Sequence, residues 1–151
     1  MSTDGIRESI VSALATKLAT VTTGNGYQQT IQTVLDYPTH FESLDNSDYP
    51  VVSIYMGSET GQVLLGNTQQ DFTLNIGLRC YVEGGDEDSI RIEANKIYED
   101  ISKLIFNNIT LGVASVIEAN IVSNEAPFIW LDVGHVGFCD IQLQVLYRRA
   151  M

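Results

Sequence analysis

The sequence predicts an α+β fold: a mostly antiparallel β-sheet with two α-helices packed on one face. Three observations predict it. Apolar residues recur about every fourth position in two segments, Asp4 to Val21 and the stretch that follows Asp86, and that spacing lines one face of a helix. Apolar and polar residues alternate over Phe72 to Val82 and over Gly137 to Arg148, the period of a strand with one covered face. The elements run helix, three strands, helix, two strands, without the repeated strand–helix alternation of a doubly wound parallel sheet.

In the first helix Ile6, Ile10, Leu14 and Leu18 form the stripe, widened by Val11 and Val21; Thr3 or Asp4 can cap its start. Gly24-Asn25-Gly26 is a turn signal that stops it. The β-branched run from Tyr27 to Leu35 predicts a first strand, and the polar segment Asp36 to Asp48, with Pro38, a loop. Val51 to Met56 is a second strand, entered through Pro50. Gly57 to Asp71, with Gly57, Gly61 and Gly66, reads as a long connection, extended by a short hairpin if Val63-Leu64-Leu65 pairs. Connections this long are commonly functional, so the segment is expected to reach a partner, with Leu64 or Leu65 as apolar anchor.

The strongest strand follows, with Phe72, Leu74, Ile76, Leu78, Cys80 and Val82 on one face. Gly84-Gly85-Asp86 breaks it and opens the second helix, whose stripe is Ile90, Ala94, Ile97, Ile101, Leu104 and Ile105, ended by Asn107-Asn108. Val116 to Val122 and Gly137 to Arg148 close the sheet. In the last strand Cys139, Ile141, Leu143, Val145 and Tyr147 share one face, and Asp140, Gln142 and Gln144 the other. The helices are expected to pack through Ile10, Leu14, Ile97 and Ile101 onto Leu74, Ile76, Ile141 and Leu143.

The 151 residues suit one domain, 1–151, and a chain of that size buries roughly 68–70% of its unfolded surface, enough for one core. Hydrophobic residues make up 44% and charged residues 18%, which excludes a disordered chain. No apolar run approaches the ~18 residues of a membrane span, and the acidic N-terminus does not resemble a signal peptide; no membrane partner is expected. Nineteen acids against eight bases give a net charge of −11, which argues against gripping nucleic acid, because phosphate binding needs clustered Lys and Arg.

The sequence offers little chemistry. A Gly-rich phosphate loop, a GxSxG elbow and an HExxH pair are all missing. His135, with Asp132 and Cys139, has the residue types of a nucleophile set. Cys139 belongs to the apolar face of its strand, however, and an exposed thiolate does not fit there. His40 lies in the polar loop. Asp86-Glu87-Asp88 lacks the further oxygen ligands of a calcium loop and suits a helix N-terminus instead. Cys80 and Cys139 are expected as buried free thiols, a disulfide depending on a proximity that sequence does not give. The expectation is no catalytic residue, no cofactor and no metal. Phe128, Ile129, Trp130 and Leu131 fit either a core strand edge or an exposed patch used in assembly, so Phe128 and Trp130 join Leu64 and Leu65 as interface candidates.

Taken together, the layout resembles the tail-terminator (tail-completion) proteins of long-tailed bacteriophages. The helix Ile6–Leu18 leads to Gly26-Tyr27 and a strand. Then come Tyr49-Pro50-Val51-Val52-Ser53-Ile54-Tyr55-Met56-Gly57-Ser58-Glu59, a polar loop and the alternating strand Phe72–Val82. The segment Glu93-Ala94-Asn95-Lys96-Ile97-Tyr98-Glu99-Asp100-Ile101 is similar to the family's second helix, and the last strand ends Val145-Leu146-Tyr147-Arg148. The resemblance covers most of the chain and rests on layout, since none of these motifs is chemical.

The resemblance implies a structural virion protein, assembled in the host cytoplasm, and not an enzyme. It implies a homo-oligomer, a hexameric ring on the head-proximal end of the tail tube. Such a ring ends polymerisation of the tail tube protein and joins the tail to the head–neck connector protein. Genomic DNA would pass through the lumen without specific binding, and a negative wall suits that passage. The alternatives are a head-side neck or completion protein of the same virion, or a small α+β ligand-binding or enzymatic domain.

Overall fold

The computed structural model describes residues 5–37, 48–63, 69–124, 128–130 and 136–150. Among them are two α-helices and six strands: α1 (Ile6–Leu18), β1 (Thr33–Leu35), β2 (Val51–Val63), β3 (Gln69–Glu83), α2 (Glu87–Asn107), β4 (Val116–Asn124), β5 (Phe128–Trp130) and β6 (Val136–Ala150). The strands form one sheet in the order β1-β2-β3-β6-β4, with β5 also paired to β6. β1 runs parallel to β2, and the other pairs are antiparallel. The α+β class and the element order expected from sequence are found, with β5 added between the last two strands.

The periodic apolar residues make one core. Ile10, Leu14, Leu18, Ile97, Ile101, Leu74, Ile76, Ile141 and Leu143 are all buried in a single cluster between the helices and one face of the sheet. Burial of each such side chain stabilises the fold by about 1.5–3 kcal/mol. α1 begins at Ile6 with Gly5 in the N-cap position and no side-chain cap; Thr3 and Asp4 lie outside the described residues. α2 is capped as its acids suggested: the Asp86 carboxylate accepts from the Ser89 N–H at 2.8 Å, with Glu87 and Asp88 in the first turn. Cys80 and Cys139 face each other across β3 and β6, both buried and both free thiols.

Two expectations are corrected. The first strand does not span Tyr27 to Leu35; only Thr33–Leu35 joins the sheet. The preceding N–H groups are engaged elsewhere, those of Gln28 and Gln29 each donating at 2.9 Å to the carboxylate of Asp100 on α2. β-Branched composition signals a fit to a pleated surface, and here a buried carboxylate takes the backbone first.

Within the expected long connection Gly57–Asp71, the described residues are strand and not loop. β2 continues to Val63 and β3 starts at Gln69, in register from Glu59↔Leu74 to Val63↔Gln70, past an irregularity between Met56 and Glu59. The hairpin extension is therefore the main feature of the segment. Its glycines misled because Gly61 serves space rather than a turn: a Cβ there would come within 2.9 Å of the Phe72 ring. Residues Glu59 to Val63 are thus part of the sheet. β6 runs beside this ladder through Gln69↔Ala150, which makes the far halves of β2, β3 and β6 a three-stranded tongue.

Candidate assembly surfaces

The sheet face away from the helices carries cross-strand polar pairs. Arg79 on β3 stands opposite Asp140 on β6 and binds it through Nε and Nη2 at 2.8 and 2.9 Å. The same guanidinium lies 4.2 Å from the centre of the Phe138 ring. The paired carboxylate holds the Arg79 pKa above its ordinary value. On the tongue Arg148 binds Asp71 in the same two-pronged way at 2.7 and 3.2 Å, and this hydrogen bonding lowers the Asp71 pKa. Between the two pairs the Tyr55 ring lies across Gly77, where a Cβ would sit 2.0 Å from Cζ, and Tyr55 Oη accepts from Gln142 Nε2 at 3.1 Å. At the near end Tyr49, Val51, Tyr81 and Val136 form a second, smaller buried cluster.

On the helix side, the tongue outruns the helices and leaves a groove of about 720 Å³ at the start of α1, with Ile6, Met56, Phe72 and Tyr147 on its walls and Arg7 and Arg149 beside them. Phe72 and Tyr147 are ladder partners and stack at 5.1 Å. The Tyr147 hydroxyl donates to Glu59 Oε1, which also lies 3.8 Å from Arg7 Nε. Burial first, and the Glu59 carboxylate second, push the Tyr147 phenol up to about 12. The Arg149 guanidinium sits 5.0 Å from the Phe72 ring centre.

A second surface follows β4, at the edge of the sheet. Phe106 and Ile109 at the end of α2, with Ile117 and Val122 at the two register shifts of β4, are exposed. A groove of about 190 Å³ runs between Ser102, Ile105 and Phe106 on one side and Ala119 and Ile121 on the other. These surfaces carry apolar area and charge, and among the described residues no group of three or more His, Cys, Asp and Glu is placed to hold a metal. Exposed apolar patches rimmed by charge are a common feature of protein–protein contacts.

A family model described as Bacteriophage Tail Tube Terminator Protein matches residues 3–149. The chain belongs to that family. The tail tube terminators are structural phage proteins, which makes this chain a structural component of a bacteriophage tail and of the virion. No match is found among curated proteins. Among the described residues no helix is long and apolar enough to cross a membrane.

Of the terminator's sequence-predicted interface residues, Leu64 and Leu65 lie outside the described residues, as do His40, Asp132 and His135. Phe128 and Trp130 fall on β5, pairing with Phe138 and Val136 of β6, which places their backbone in the sheet. Cys139 is buried beside Cys80, whose thiol is pushed well above its ordinary pKa by its hydrogen bond to Cys139 and by burial. Neither fits a reactive nucleophile. Sequence reasoning missed Phe106, which directly follows the buried Ile105 and is exposed. It also missed Asp100, whose signal was an acid set among Ile97, Ile101 and Leu104.

Proposed function

We infer that this chain, working as one domain over residues 1–151, is the protein that stops growth of the phage tail tube. Six copies close a ring on the head-proximal end of the tube, contact the tail tube protein on one side and meet the head–neck connector on the other. The match to the tail tube terminator family over residues 3–149 carries this reading. The physical features support it. A ring needs two different patches that return on themselves, and this chain has apolar surface at the β4 edge and in the groove by α1. A net charge of −11 suits a lumen through which genomic DNA slides without sticking. The role asks for no cofactor, no metal and no bond-making chemistry.

The test is genetic and structural. A phage lacking the chain is expected to make tails of uncontrolled length, and supplying the chain in trans to restore one length. Tails of normal, uniform length in its absence would remove tube termination from its function.

A further inference from the structure

The chain has two cysteines, and the fold sets them on the same rung. Cys80 of β3 is the direct register partner of Cys139 of β6. Both side chains lie on the helix side of the sheet, inside the main apolar cluster, and both are free thiols. Residues directly opposite in an antiparallel pair hold their Cα atoms about 4.5–5.5 Å apart, inside the roughly 4.4–6.8 Å that a disulfide spans. The two side chains are already close enough to hydrogen-bond to each other.

Their place in the sheet gives such a bond a consequence. β3 and β6 are the two strands at which the halves of the sheet meet, β1 and β2 on one side and β4 and β5 on the other. The segment between the cysteines contains α2, β4 and β5. A bond across this rung would close that segment into a loop and restrict the unfolded chain. Access comes from the strand ends, since only three rungs, Tyr81↔Phe138, Val82↔Gly137 and Glu83↔Val136, lie beyond the cysteines. Short strand ends open more readily than strand centres.

We propose that Cys80 and Cys139 form a redox clip, open as two thiols in a reducing compartment and closed by a low-molecular-weight disulfide in an oxidising one. One cysteine, as its thiolate, attacks a sulfur of the oxidant and expels the other half as a thiolate. The second cysteine loses its proton, attacks the protein sulfur of this mixed disulfide and expels the remaining half. Two protein thiols are oxidised, one small disulfide is reduced to two thiols, and the two cysteine protons end on them. Burial makes the first attack slow and dependent on local opening, while the second is fast because its partner is already in place. A virion component made in a reducing cytoplasm and released into an oxidising medium meets the two conditions in that order.

The test exposes the folded full chain to oxidised glutathione, then unfolds it in urea with an alkylating reagent and measures its mass. The untreated chain is expected to take two alkyl groups. The treated chain is expected to take none, to carry no glutathione and to remain a single chain. Its urea midpoint should rise, and dithiothreitol should return both readings to their starting values. Two alkyl groups after prolonged treatment, a retained glutathione, or a bond between two chains would each overturn the clip. So would a closed bond with an unmoved midpoint, or an equal rise in Cys80→Ala, which has no second sulfur. None of these readings depends on tube termination, so the clip and the proposed function stand or fall separately.

Discussion

The two faces of the sheet are stabilised by different physics. Under the helices, β3 and β6 present Leu74, Ile76, Leu78, Cys80, Cys139, Ile141, Leu143 and Val145, all buried. Stability there follows from apolar area removed from water and close packing. On the other face the same strands present Arg79–Asp140 and Arg148–Asp71, and Tyr55 of β2 bonds Gln142 of β6. Those pairs add little to stability, since solvent-facing ion pairs stabilise little, and strand register follows from the buried alternation of the other face. The packed face tolerates little change, and the paired face leaves surface free for contacts with other proteins.

The sharpest way to break this contrast is to remove volume from the packed face. Ile97→Ala or Leu14→Ala is expected to cost about 2–5 kcal/mol, read from urea unfolding. A loss below about 1 kcal/mol would mean the helices do not pack as described. Next in size is Asp100 of α2, the one buried charged side chain among the described residues. Asp100 is 2% exposed and accepts from two backbone N–H groups. Asp100→Ala should lower stability by about 2–4 kcal/mol, because both donors lose a charged acceptor. Asp100→Asn, which keeps one carbonyl oxygen, should cost less.

A smaller effect is expected at alkaline pH, where Tyr147 reports on the tongue. Its phenol is raised from 10.0 to about 12, so the folded chain favours the neutral form. The stability this contributes is fully present below pH 10 and is lost as pH rises from 10 to 12. Stability should fall across that window for the wild type and fall less for Tyr147→Phe, with Tyr49 and Tyr81, whose phenols burial also raises, keeping part of the slope. The smallest effect belongs to the paired face: a double-mutant cycle on Arg79 and Asp140 should give about 0.2–1 kcal/mol of coupling. A coupling of several kcal/mol would erase the distinction between the faces.

The packed face was legible in the sequence because burial writes a period. The alternation of Phe72–Val82 and the stripe Ile90–Ile105 located β3 and α2 to within a few residues. What escaped were places where one residue answers to a distant one. The tongue was hidden because Gly61 makes room for Phe72 and so resembles a loop glycine. The strand expected at Tyr27 was shortened by Asp100, about seventy positions away in the chain. The candidate surfaces were legible least, since exposure at Phe106 depends on where α2 ends against β4, which no local pattern records. The charge of −11 pointed away from nucleic-acid binding, and the layout pointed to the family, but neither named a surface.

We propose that this chain caps the tail tube as a ring. Electron microscopy of the purified chain mixed with tail tubes tests it most directly. Rings with a central pore are expected, one seated on a single end of each tube, and tubes that no longer lengthen when more tail tube protein is added. Tubes that keep growing with bare ends, while the chain stays free in solution or binds along their sides, would contradict it.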